Sequence, residues 1–296
     1  MTDRFIDISD SPLRLSLRDG NLILGGGTDE LRVLPSELAA VILSHPASSC
    51  TLGALQLLAN EGVPLVVCDE KRLPIGTLLP LHGHHLHSER LRVQVESSPG
   101  RRNNLWGQVV KAKIRAQGGL LIRRSGTDLG LLRMATQVRS GDPGNKEGLA
   151  ASRYWPGLMG PGFIRDQEAC GANSLLNYGY AVLRALVARA LVGSGLHPSL
   201  GIHHHNRYDP LCLADDMMEP LRPVVDEAVI SVIEGPGYGG DLGRDEKRQL
   251  LAALGGRYPF QGESWPLFEI CTRMSASLFQ SLRGGWAQTP VARFMT

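Results

Sequence analysis

Between Gly201 and Asp226 the chain reads GIHHHNRYDPLCLADDMMEPLRPVVD, a run dense in groups that bind cations or move protons. Three consecutive histidines, His203, His204 and His205, follow an apolar lead-in. After a short loop at Asp209-Pro210 come Asp215, Asp216, Glu219, Arg222 and Asp226. A helix beginning near Leu213 places Asp215, Glu219, Arg222 and Asp226 along one stripe at spacings of four, three and four. Met218, Leu221 and Val225 then form a neighbouring, buried stripe, and Pro220 and Pro223 should kink the helix. Imidazole and carboxylates gathered beside a helix start suit a divalent cation. The same letters also fit a solvated acidic helix face after a histidine-rich turn. Side chains alternate along an extended backbone, so the residues alone favour His203 with His205 as a metal pair, with His204 pointing away.

Other chemistry-bearing residues are more scattered. Glu147 stands near a helix start, where the macrodipole stabilises a carboxylate whatever its further role. A second histidine group, His82, His84, His85 and His87, has no cysteine at ligand spacing and reads as a polar linker. A nucleophilic hydrolase is disfavoured, because there is no GxSxG elbow and no cysteine has a distinctive neighbourhood. GPGYGG at 235–240 lacks the Lys-Ser/Thr of a phosphate-binding loop and follows a helix, so it reads as a flexible loop.

The elements that must carry these groups follow from hydrophobic period. A chain of 296 residues, 43% apolar and 20% charged, can bury more than one core. Ile6 and Ile8, then Leu13, Leu15 and Leu17, alternate as half-buried strands do, and Gly20-Asn21 and Gly25-Gly26-Gly27 mark turns. Val41-Ile42-Leu43 and Val63–Cys68 have the length of buried strands, and Thr51–Asn60 reads as a helix capped by Thr51. After about residue 88 the pattern turns helical, over Asn104–Gln117, Thr127–Val138, Asn173–Val192, Arg244–Leu254 and Pro266–Leu282, the last two parted by Gly/Pro-rich loops. Asp142 should cap a further helix with Pro143 at its first position and Glu147 in its second turn, with Tyr154 on the face of Glu147. The expected class is α+β: a β-rich domain over residues 1–82, a linker over 83–88, and a larger all-helical domain over 89–296.

Composition limits the setting. Asn173–Val192 is broken by Asn177, Arg184 and Arg189, which predicts a buried helix rather than a membrane span. Cys50, Cys68, Cys170, Cys212 and Cys271 are far apart and never form a CxxC pair, and the N-terminus has no apolar signal core, which together predict a cytoplasmic protein. Net charge is only +2, so any nucleic-acid surface must be local. Basic residues do crowd between Arg90 and Arg139, Lys111 and Arg115 among them, and Arg153 and Arg165 could extend that face. An ordinary solvated helical surface would look the same.

Taken in order, several blocks resemble one family along nearly the whole chain: TLGALQLLANEGVPLVVCDEKRLPIGTLLP, LWGQVVKAKIRAQ, EGLAASRYW, NSLLNYGYAVLRALVARALVGSGLHPSLGIHHHN and LADDMMEPLRPVVD. The family is that of the CRISPR adaptation integrases, the Cas-one endonucleases, and the GIHH…MEPLRP form is most similar to those found beside Cas-nine systems. Cys170-Gly171 departs from the family's more usual Asp-Pro pair, a change at a helix start. The resemblance implies a β-rich dimerisation domain, a helical catalytic domain, and a Mg²⁺ or Mn²⁺ site of Glu147, His204 and Glu219. It thereby selects His204, against the preference for its neighbours read from alternation alone. Read from the residues, Asp216, Arg222 and Tyr154 are candidates to support those ligands: Arg222, one turn from Glu219, fits that role or a helix-surface ion pair equally, and Tyr154 fits packing better than chemistry. It also implies metal-dependent cleavage and joining of DNA strands, double-stranded DNA as partner (a captured protospacer and the CRISPR repeat), a homodimer, and a complex with Cas-two. A general metal-dependent nuclease and a DNA-binding scaffold with a degenerate site are the alternatives; the presence of all three ligands argues against degeneracy.

Overall fold

The computed structural model describes residues 4–25, 30–70, 74–81 and 83–284. His82 and Gly26-Gly27 lie outside the described residues. Strands β1 (Arg4–Ile8), β2 (Arg14–Arg18), β3 (Asn21–Leu24), β4 (Leu31–Val33), β5 (Leu38–Leu43) and β6 (Ser49–Cys50) come first. Helix α1 (Leu52–Asn60) and strands β7 (Leu65–Cys68) and β8 (Pro74–Leu78) complete the N-terminal part. They form two four-stranded sheets, in the orders β1-β5-β7-β8 and β4-β3-β2-β6. Strand β5 pairs in parallel with both β1 and β7, and its LAAVIL run is the continuous apolar sequence that a strand covered on both faces requires. Thr51 caps α1 by accepting from the Ala54 amide, as its sequence position predicts.

Strands give way to helices between Leu78 and His87. Helices α2 (His87–Glu96), α3 (Pro99–Ser125), α4 (Leu131–Thr136), α5 (Lys146–Met159) and α6 (Ala172–Gly193) are followed by α7 (Cys212–Met218), a 3₁₀ turn at Glu219–Leu221, and α8 (Arg222–Glu234). Then come α9 (Arg244–Leu254), the hairpin β9 (Arg257–Phe260) and β10 (Glu263–Pro266), and α10 (Leu267–Arg283). The hairpin lies where a Gly/Pro-rich loop was expected. Gln261 and Gly262 turn it with φ of 55° and 84°, the left-handed pair that a two-residue hairpin loop needs.

Caps explain where the helices depart from their periodic reading. Helix α3 outruns Asn104–Gln117 because Ser98 caps its start, Pro99 occupies its first turn, and Gly126 ends it at φ 76°. Thr127–Val138 is helical only over α4. The Asp128 carboxylate accepts the Gly130 and Leu132 amides, Leu129 and Gly130 take positive φ, and Leu129 and Leu132 are exposed instead of inward. Helix α5 begins at Lys146, with Asn145 as cap and Pro143 outside, so Glu147 falls in the first turn and not the second. Pro220 and Pro223 do more than kink: they split the expected helix into α7, the 3₁₀ turn and α8.

Helix α6 runs through the largest core, and the N-terminal sheet rests on it. Ala39, Ala40 and Leu186 pack together, and Arg189 donates to the Leu38 and Ala39 carbonyls at 2.7 and 2.8 Å. By length and composition α6 could cross a membrane, but 78% of its most apolar window is buried inside the fold.

Candidate active site

Three separate elements bring two acids and a lysine to one region. Glu147 stands in the first turn of α5, where Asp142 accepts the Lys146 and Glu147 amides at 3.0 and 2.9 Å and Asn145 accepts that of Gly148. Glu219 stands in the 3₁₀ turn, almost fully buried. Between them lies Lys113 of α3, whose Nζ is 2.6 Å from Glu147 Oε1 and 2.5 Å from Glu219 Oε2. Arg222 donates through Nε to the other Glu219 oxygen, Oε1, at 2.9 Å. Burial would raise the Glu219 pKa, but Lys113 and Arg222 outweigh it and bring the group down to about 2. Burial likewise opposes the charge on Lys113, and Glu219 and Glu147 outweigh it, holding the ammonium above its ordinary pKa.

The histidine loop is organised by Asp216, which is fully buried. Its Oδ2 accepts the amides of Ile202 and His203 at 2.7 and 3.0 Å, and its Oδ1 accepts that of His204 at 3.2 Å. The same Oδ1 meets His204 Nδ1 at 2.6 Å. A carboxylate there requires a proton on Nδ1, so in neutral His204 the unprotonated ring nitrogen is Nε2. The Asp216 hydrogen bond raises the His204 pKa against the effect of burial. His203 instead stacks flat on Trp106 of α3, ring centres 4.1 Å apart and 1° from parallel, and burial lowers its pKa. Alternation from an extended backbone therefore misassigned these side chains: the loop is a turn held by one carboxylate, and His204 is the imidazole that Asp216 orients.

The expected acidic stripe divides into three tasks. Asp215 pairs with Arg184, Nε to Oδ1 at 2.7 Å, and Arg184 also holds Asp209, tying down the loop after the histidines. Asp226 accepts from Tyr154 Oη at 2.6 Å and from Tyr180 Oη, and burial raises its pKa to about 6. Tyr154 thus serves Asp226 and not Glu147. The Arg222 guanidinium lies over the Tyr180 ring at 4.6 Å, which joins this buried cluster to Glu219.

Part of the basic span is committed to the fold. Arg90 donates to the Ser194 carbonyl, Arg101 to that of Leu282, and Arg123 and Arg124 pair with Glu227 and Glu234. Arg153 donates to the Leu129 carbonyl, and Arg165 holds Asn173 and Asn177. Lys111 and Arg115 are half-buried on α3. Beside His204 opens a cleft of about 390 Å³ lined by Arg102, His205, Asn206 and Arg207 among others. Lys113 is the site residue that sequence reasoning missed. Its signal was present: it continues the inward row of Trp106, Val109 and Val110 towards Gln117 and Leu120, a position where a lysine needs a buried partner.

Among the described residues, no three or more His, Cys, Asp or Glu side chains are gathered so as to hold a metal ion as they stand. The donors nonetheless fit a hard divalent ion. Two carboxylates converge on one cation, His204 offers a free ring nitrogen, and Glu219 Oε2 is buried with only the Lys113 ion pair and no aligned hydrogen bond.

The solved structures that resemble this one define a class of fold. A casposase bound to integration product superposes with a TM-score of 0.81 at 20% identity, covering 98% of this chain and 93% of that one. A Cas6-RT-Cas1–Cas2 complex gives 0.74 at 18% identity, over 95% of this chain and 35% of that one. The family model described as CRISPR associated protein Cas1 matches residues 7–140 and 169–238. A CRISPR-associated endonuclease Cas1 from Neisseria meningitidis serogroup C (strain 8013) is 36% identical over 244 residues, 81% of this chain and 80% of the relative. The chain belongs to the Cas1 family.

Proposed function

We propose that this protein is a divalent-metal-dependent DNA endonuclease and integrase that inserts captured DNA into a CRISPR array. The observation that carries the reading is the convergence of Glu147 and Glu219 on one cation, with His204 held by Asp216 in the same region. Glu147, Glu219 and His204 Nε2 would hold Mg²⁺ or Mn²⁺. Bound there, the ion supplies Lewis-acid polarisation of a phosphodiester and offsets the charge that develops on it. Arg222 keeps Glu219 ionised and aimed, and Asp216 keeps the imidazole in the tautomer that leaves Nε2 open. Arg102 and Arg207 line the adjoining cleft and offer guanidinium groups to a DNA backbone.

The partners follow from the same reading. Duplex DNA, as protospacer and as CRISPR repeat, is supported by a fold shared with a casposase bound to integration product, and Cas2 by the Cas6-RT-Cas1–Cas2 complex. A homodimer through the β-rich part is supported by exposed Leu31, Leu34 and Leu52. A cytoplasmic setting is supported by five cysteines that form no disulfide with one another. The test uses a short duplex with free 3′ ends and a repeat-containing target. Wild type should cleave and join strands with Mg²⁺ or Mn²⁺ and stop in chelator, and Glu219→Ala should do neither while still binding the duplex. Joining by Glu219→Ala, or cleavage in chelator, overturns the assignment. Cleavage without joining by wild type would leave a general nuclease.

A further inference from the structure

The two carboxylates assigned as ligands already share a cation, and that cation belongs to the chain. We propose that Lys113 is a built-in stand-in for the divalent ion: its ammonium holds Glu147 and Glu219 together before metal arrives, and metal binding displaces it. The proposal rests on the functional reading above and adds a residue to it.

The placement is constructed and not incidental. Lys113 rises from the inward face of α3 between Ala112 and Ile114, both fully buried, and its side chain is only 12% exposed. A surface lysine drifts among partners, whereas this one is delivered by a rigid 27-residue helix to a point 2.6 Å from one carboxylate and 2.5 Å from the other. Two carboxylates this close, one of them buried, repel each other unless a cation lies between them. Lys113 and Arg222 together supply the two positive charges that balance them.

The two cations play different parts. Arg222 grips Glu219 by Oε1, on the far side of the carboxylate from the contact with Lys113. Its guanidinium is also laid over the Tyr180 ring, so it can stay in place whatever occupies the gap. Lys113 sits in the gap itself. Mg²⁺ bonds oxygen ligands at about 2.0–2.1 Å. An ammonium at hydrogen-bond distance from the same oxygens overlaps that position and repels its charge. Lysine suits a role that includes leaving, because it is a point charge on a flexible stem; an arginine would lock into a bidentate pair.

The experiment is a titration of the full chain with Mn²⁺ alone, without DNA, followed by electron paramagnetic resonance of the free ion. Wild type, Lys113→Met and Lys113→Gln are compared. Both variants should bind Mn²⁺ roughly tenfold more tightly than wild type, because no resident cation has to leave. Melting gives a second readout: in chelator the variants should be less stable than wild type, and Mn²⁺ should raise their Tm by more. Equal or weaker Mn²⁺ binding in the variants overturns the stand-in role. If neither variant folds in chelator, folding restored by Mn²⁺ supports the proposal and its failure to return overturns it. No Mn²⁺ binding by wild type or by either variant would instead remove the metal reading itself, so the two failures are distinguishable.

Discussion

At the scale of single residues, the site turns on which imidazole is oriented. Asp216 holds three consecutive amides, those of Ile202, His203 and His204, and also the His204 ring. His203 packs on Trp106, and His205 is exposed. His204→Ala should therefore abolish cleavage and joining, while His205→Ala should leave both near wild type. His203→Ala should keep activity and lose stability, by about 1 kcal/mol for the lost ring contact. Asp216→Asn keeps the shape but offers an amide where a carboxylate accepted, so activity should fall roughly 10–100-fold, as for other groups that orient a ligand histidine. Strand-transfer rates and thermal melts of the four variants check this. An essential His203 with a dispensable His204 would shift the assignment by one residue.

At the scale of elements, α3 is the axis of the site. Its inward face carries Trp106 beneath the histidine loop and Lys113 beneath the carboxylates, while Lys111 and Arg115 share another side of the same helix. Arg123 and Arg124 of the same helix are tied to Glu227 and Glu234. Each phosphate neutralised should contribute about 0.9 to the slope of log K against log[salt]. Charge reversal at Lys111 and Arg115 together should weaken duplex binding and lower that slope by about 2, with Mn²⁺ affinity unchanged. Salt titrations of the wild type and the double variant measure it. Identical slopes would put the duplex on another face, and the cleft with Arg102 and Arg207 is then the surface to change next.

At the scale of the whole molecule, the two N-terminal sheets differ in what covers them. One sheet is seated on α6 through Ala39, Ala40 and the Arg189 hydrogen bonds. The other, with the turn after β4 and the start of α1, leaves Leu31, Leu34 and Leu52 in solvent, more apolar surface than a small β-rich part comfortably exposes. If that surface is the homodimer contact, Leu34→Glu with Leu52→Glu should give a folded monomer by light scattering, with Mn²⁺ binding retained because neither residue is a candidate ligand or its partner. An unchanged dimer would place the contact elsewhere. Deletion of the sheets is a poorer test, since it would also strip α6 of its cover.

Local order was legible in the sequence because it depends on neighbours along the chain. Helix α9 runs over Arg244–Leu254 as its period predicts, Thr51 caps α1, and the alternation of Leu13, Leu15 and Leu17 marks β2. Where a turn residue could compete, period misled: Asp128 captured two amides and shortened α4, and two prolines divided the helix that holds Glu219. The acids of the candidate site could be named from the sequence through family resemblance, but their partners could not. Lys113 is 34 residues from Glu147 in the chain, and which side chain it meets depends on how α3 is rotated against α5 and the 3₁₀ turn. The choice of His204 over His203 likewise depends on a turn closed by a carboxylate from α7. Helical period says which face of a segment is buried; only the packed fold decides which buried groups face one another, and charge pairing in a dry interior depends on that distance.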